Sequence, residues 1–241
     1  MYKNYKIAVV IPAYNERNKT AEVVKKIPFD LIDEVVVVND GSQDDTKKAV
    51  EATGRATILH SKTRQGIGFA IRKGLRYSQN KNYQVIVVMA GNGKDNPDEI
   101  KKLIEPIIND GVDYVQGSRY LKGGEHGKMP YHRLLFTKLY TWAIRILYGQ
   151  KVTDGTNGFR AYKLNILDDP GINLNQEWLR EPLEYYLSIK VLLLDYKVRE
   201  VPVTKFYPQK VIYSQYTKVT PFIGWFKRLK PLFLLRLGLK K

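Results

Sequence analysis

Residues 7–16 read IAVVIPAYNE and residues 34–46 read EVVVVNDGSQDDT. Each is a run rich in β-branched residues that stops abruptly in polar, turn-forming ones. A strand apolar along its whole length is one buried on both faces, as in a parallel sheet. Ligands of open α/β sheets bind outside the carboxyl ends of such strands. Pro12, Ala13, Tyr14, Asn15, Glu16, Asp40, Gly41 and Ser42 therefore gather at one rim, which reads as a nucleotide pocket.

Outward from these two runs the chain alternates. Helical patterns are expected over 18–27, 44–53, 66–77 and 97–108, and further strands over 56–60, 83–89 and 114–116. Residues 131–148 form a strong helix candidate, 152–162 a glycine-containing stretch, 184–194 a helix and 197–203 a strand. Strand–helix alternation with short links predicts an α/β fold, a doubly wound, mostly parallel sheet with helices on both faces.

The 241 residues, 44% of them apolar, suffice for one full α/β domain or two small ones. There is no cysteine, so disulfides and thiolate metal sites are excluded and an intracellular location is compatible. No apolar run reaches the roughly 18 residues of a spanning helix. The N-terminus runs straight into a strand, so no signal peptide is expected. A net charge of +16 suits an anionic lipid surface, nucleic acid or phosphorylated small molecules. No nucleic-acid motif is present, and the acidic rim at Glu16, Asp40, Asp44 and Asp45 argues against that partner.

Six segments in fixed order resemble family 2 glycosyltransferases of GT-A fold, in the branch of dolichol-phosphate mannose synthases and polyprenyl-phosphate sugar transferases. They are IPAYNERN (11–18), VNDGSQDDT (38–46), RQGIGFAIRKGL (64–75), GSRY (117–120), DGTNGFRAY (154–162) and REVPV (199–203). The resemblance covers about residues 5–205, taken here as a GT-A domain over 1–205. It implies an inverting hexosyltransferase-like enzyme moving a sugar from a nucleotide-diphosphate donor to a polyprenyl phosphate or lipid-linked glycan. Pro12, Ala13, Tyr14, Glu16, Asp40, Gly41, Arg64, Gly66, Gly68 and Asn92 would line the donor. The glycines and Arg64 suit that role physically, since glycine admits close backbone approach and arginine offers charge near phosphate.

The main departure follows the fourth major strand. The family usually carries Asp-x-Asp there, holding a divalent metal against the donor diphosphate; the two positions here are Ala90 and Asn92. Asn92 and Asp95 are the remaining candidate ligands for Mg²⁺ or Mn²⁺, and a neutral amide oxygen is a weak ligand for a hard cation. Lys94 is expected to supply charge in the metal's stead. The resemblance places Arg119, Arg133 and Arg160 near acceptor or donor phosphates, which arginine binds bidentately. Asn157 and Glu184 join Arg119 and Arg133 as acceptor candidates, and Asp154, Lys94 and Arg160 are the catalytic ones. A phosphate acceptor needs no general base; a hydroxyl acceptor does, with Asp154 or Glu184 as candidates. The alternative is a non-catalytic nucleotide-sugar binder with a degenerate metal motif.

Residues 206–241 form a basic, aromatic segment with no acid after Glu200. Pro221 and Pro231 are expected to divide it into pieces too short to cross a bilayer. Aromatic anchors among cations suit the cytoplasmic face of an anionic membrane, with packing on the domain or an oligomer interface as alternatives. The pattern carries no signal for oligomeric state.

Overall fold

The computed structural model describes residues 1–207 and 223–240. Its first strand, β1 (Ile7–Ala13), pairs in parallel with β2 (Glu34–Asp40) on one side and β4 (Val85–Val88) on the other. β3 (Thr57–Ser61) continues the parallel pairing beyond β2. On the far side β6 (Arg160–Lys163) lies antiparallel between β4 and β5 (Tyr114–Ser118), and β7 (Val198–Pro202) pairs in parallel with β5. The order is β3-β2-β1-β4-β6-β5-β7, a mixed and mostly parallel sheet.

Alternation along the strands sorts the core into two layers. Ala8 and Val10 of β1 and Val36 and Val38 of β2 face α3 (Ile67–Asn80), α5 (Tyr131–Tyr148), α6 (Leu183–Leu193) and α7 (Ile223–Arg236). Ile7, Val9, Ile11, Val35 and Val37 face α1 (Arg17–Lys25), α2 (Thr46–Glu51) and α4 (Ile100–Asp110). Burial on both faces is why these strands are apolar at every position.

Residues 160–162, expected within the glycine-containing stretch, belong to a strand that runs on to Lys163. Its sequence RAYK lacks an apolar run; Ala161 and Tyr162 fill the two layers, and antiparallel pairing on both sides does the rest. Since β4 and β5 both oppose β6, they share a direction. The carboxyl ends of β1, β2, β4, β5 and β7 and the amino end of β6 therefore meet at one edge of the sheet.

The expected break at Pro231 does not occur, because α7 continues through it. Proline removes one backbone donor, but Pro231 and Leu232 are buried against α5 and α6, and Tyr148 Oη donates to the Leu232 carbonyl at 2.6 Å. Among the described residues no helix is long and apolar enough to cross a membrane. The tyrosines at 213 and 216 and Pro221 lie outside the described residues.

Candidate active site

The first bank of the site is built where β1 and β2 end. The 14–17 turn docks on the β2 turn through backbone donors: Asn15 N–H to Ser42 Oγ (3.0 Å), and Glu16 and Arg17 N–H to Thr46 Oγ1 (2.9 and 2.7 Å). Gln43 N–H returns a bond to Asn15 Oδ1 at 2.9 Å. Asp40 is 3% exposed, and its carboxylate accepts the N–H groups of Gln65 and Gly66, each at 2.8 Å. It thus holds the 64–68 loop beneath the rim, while Arg64 stacks 4.5 Å over the Tyr14 ring.

Pro12, Ala13, Tyr14, Glu16, Asp40, Arg64 and Asn92 line a cleft of about 300 Å³. Gly41, Gly66 and Gly68 do not, and their smallness serves another purpose. A Cβ on Gly41 would lie 2.5 Å from the Thr63 backbone, and one on Gly68 2.0 Å from the Leu179 carbonyl oxygen. These glycines admit neighbouring protein backbone instead of a ligand.

Beyond β4 the turn of residues 90–96 carries the altered metal motif. Ala90 has no ligand atom. Asn92 Oδ1 accepts the Lys94 N–H at 3.2 Å. Asp95 accepts Ala90 N–H on one oxygen (2.9 Å) and the Lys205 ammonium on the other (2.6 Å), and its side chain is 1% exposed. Among the described residues no group of three acidic, His or Cys side chains could hold a metal ion. Asp95, buried against Lys205, and Asn92, with one neutral amide oxygen, fit a divalent ion poorly, in line with their reading as weak or absent ligands. Lys94 lines the cleft although only 2% exposed, and burial, with Arg133 and Lys205 beside it, brings its ammonium down to about 7.

The opposite bank is tied by buried charge. Arg119 Nε and Nη2 donate to Asp154 at 2.6 and 2.7 Å, both residues being essentially inaccessible. Burial pushes the Asp154 carboxyl up, but the Arg119 charge and hydrogen bonds outweigh it and hold it below the usual range. Glu200 of REVPV braces the same loop, accepting the N–H groups of Thr153 (2.7 Å) and Asp154 (2.8 Å). Both Asp154 oxygens are thus taken by Arg119, which lines the cleft while Asp154 does not.

Arg160 is also corrected. It lies fully within the protein, donating to Tyr114 Oη (2.8 Å) and to the carbonyls of Glu184 (2.7 Å) and Asn157. Asn157 is likewise behind the cleft, accepting from Lys205 at 3.0 Å. Arg133 and Glu184 do line it. Burial raises the Glu184 carboxyl against the pull of Arg160, 3.6 Å away.

Lys205, Thr156, Tyr185, Trp225 and Arg228 complete the wall and were not sequence candidates. Trp225 stacks on Phe136 of α5 with ring centroids 5.0 Å apart, so the C-terminal helix folds back over the domain. The 123–127 loop, which its glycines suggest is a free lid, is tied to the chain after β7: Glu125 N–H bonds the Val203 carbonyl and Lys205 N–H the Glu125 carbonyl.

The sequence model of the family described as "Glycosyl transferase family 2" matches residues 8–170, more than half of the 241. The chain belongs to glycosyl transferase family 2. Polyprenol monophosphomannose synthase of Mycolicibacterium smegmatis is 31% identical over 166 residues, covering 66% of this chain and 62% of its own. Dolichol-phosphate mannosyltransferase of Pyrococcus furiosus is 32% identical over 209 residues, covering 83% and 56%. The chain thus spans less than two thirds of the length of these two relatives. The UDP-N-acetylglucosamine–dolichyl-phosphate N-acetylglucosaminyltransferase of Methanococcus voltae is 28% identical over 250 residues and covers 96% of each. In structure, glucosyl-3-phosphoglycerate synthase of Mycobacterium tuberculosis, solved with Mn²⁺, UDP and glucosyl-3-phosphoglycerate, matches 99% of this chain and 82% of its own at TM-score 0.70 and 20% identity. That likeness bears on the fold and agrees with the GT-A expectation.

Proposed function

We propose that this family 2 chain transfers a sugar, with inversion, from a nucleoside diphosphate sugar to a polyprenyl phosphate at a membrane surface. One observation carries the reading: the helices that wall the cleft with Arg133 and Arg228 turn apolar stripes outward. On α5 Tyr131, Leu135, Leu139, Trp142 and Ile146 recur every three or four residues, all at least 43% exposed. On α7 Phe226 and Phe233 are exposed, and neither helix contains an acid. Exposed Lys138, Arg145, Lys227, Lys230 and Arg236 lie among them, which suits an anionic lipid interface. The named activities of the mannose- and N-acetylglucosamine-transferring relatives support a lipid-phosphate acceptor.

Chemically, an acceptor phosphate oxygen attacks the anomeric carbon opposite the departing diphosphate. The anomeric C–O bond breaks and its electron pair leaves with the nucleoside diphosphate. The acceptor is already anionic, so no base is required. A second reading, a hydroxyl acceptor, is favoured by Glu184, a cleft carboxyl whose raised pKa suits proton abstraction.

The test incubates the purified protein with labelled UDP-, GDP- and CDP-sugars and vesicles with or without undecaprenyl or dolichyl phosphate. Label in the lipid fraction, of inverted anomeric configuration, is the expected result. Transfer only to water-soluble hydroxyl acceptors, abolished by Glu184→Gln, would replace it with the second reading. Nucleotide binding without turnover would favour a binder.

A further inference from the structure

A cation site needs oxygen lone pairs that are not already committed. At the end of β4 no carboxylate lines the cleft. Asp95 spends one oxygen on the Ala90 N–H and the other on Lys205, and Asn92 Oδ1 takes the Lys94 N–H. Lys205 donates at the same time to Asn157 Oδ1 at 3.0 Å, so its ammonium clamps the turn against the 154–160 loop.

What the turn offers the cleft is positive charge. The Lys94 ammonium lies 5.0 Å and the Arg133 guanidinium 5.7 Å from the centroid of the same Tyr207 ring. The Tyr207 hydroxyl is buried with no hydrogen-bond partner among the described residues. Burial, Arg133 and Lys205 outweigh the Glu16 and Asp95 carboxylates in disfavouring the Lys94 charge, and an anion between Lys94 and Arg133 restores it. A diphosphate, gaining charge as the anomeric bond breaks, is the anion the proposed reaction places there.

We infer that this chain neutralises the departing diphosphate with side-chain cations, Arg133 of α5 and Lys94 on a turn braced by Lys205, in place of a divalent metal ion. The inference rests on the transferase reading above. It assigns Asp95, the acid nearest the family's metal position, to holding the turn, and it gives the Lys205–Asp95 pair a purpose that metal ligation would destroy.

The test is calorimetric titration of UDP, GDP and CDP and the matching monophosphates, each in chelator and in Mn²⁺. The expected result is one diphosphate whose affinity agrees within about threefold between the two conditions. Lys94→Ala should weaken that diphosphate about tenfold or more and the monophosphate by less than about threefold. Lys94→Met, closer in shape, serves the same purpose where Lys94→Ala does not fold, and Lys94→Arg should retain binding. Diphosphate affinity rising about tenfold or more with Mn²⁺, or unchanged by Lys94→Met, would overturn the inference while leaving the transferase reading intact. Failure of every nucleotide in both conditions would overturn both.

Discussion

Across the cleft, the bank at the ends of β1 and β2 is tied by backbone N–H groups donating to short side chains, whereas the bank at 117–119, 154–160 and 205 is tied by buried ion pairs. The first set of ties spans 25 to 30 residues of sequence, and the second runs from 24 for Arg160–Glu184 through 35 for Arg119–Asp154 to 110 for Lys205–Asp95. Most of the first set are backbone bonds to uncharged oxygens, with the buried Asp40 carboxylate accepting two more. A buried pair is worth its geometry and nothing without its partner. One bank is therefore assembled from local turn chemistry and the other from mutual neutralisation at distance.

The largest effect should come from breaking the charged bank. Asp154→Ala strands Arg119 in the interior and should lower unfolding free energy by about 3–5 kcal/mol, read by urea denaturation. The sign of its pH dependence follows from the lowered folded pKa. The pair's contribution is complete above the unfolded carboxyl's value of about 4 and is lost as pH falls through the folded one. In Asp154→Asn the acid limb of the stability profile should flatten, and a limb of unchanged slope would contradict the assignment.

Next is Gly68→Ala, whose new methyl meets the Leu179 carbonyl oxygen. A loss of about 3 kcal/mol is expected in the same assay, at the upper end for overpacking because backbone must move. Thr46→Val tests the first bank: it removes the acceptor of two N–H groups and the hydroxyl that donates to Asp44, and should cost about 2 kcal/mol. Smallest is Trp225→Leu, which removes the stack on Phe136 and should lower stability by about 1 kcal/mol. If the α5–α7 face docks on lipid, that variant should retain vesicle binding, whereas Trp142→Asp should lose it.

The same contrast explains what could be read from the sequence. β1, β2 and β4 declare themselves because burial on both faces demands apolar residues at every position. β6 does not, since a four-residue strand with Arg160 at its head shows neither an apolar run nor a clean alternation. Tyr14, Glu16 and Asp40 line the cleft, because a strand end fixes the residues that follow it. Asp154 and Arg160 are catalytic candidates by sequence, yet both lie behind the cleft. Spacing locates a charged residue near an edge but does not say whether another chain segment has neutralised it. Lys205, Trp225 and Arg228 gave no local signal, since each reaches the site from a distant part of the chain.

The clamp between Lys205 and Asp95 also bears on the order in which the molecule is made. Asp95 leaves the ribosome 110 residues before its counterion. At about 5–20 residues per second, that is an interval on the order of 10 s. During it, a nascent chain already carries β1, β2 and β4, the strands whose ends form the nucleotide rim. The 90–96 turn must nonetheless wait, its carboxylate hydrated, until every strand of the sheet has been translated. The half synthesised first is finished by one of the residues synthesised late, so a translation arrest before residue 205 should yield an open turn.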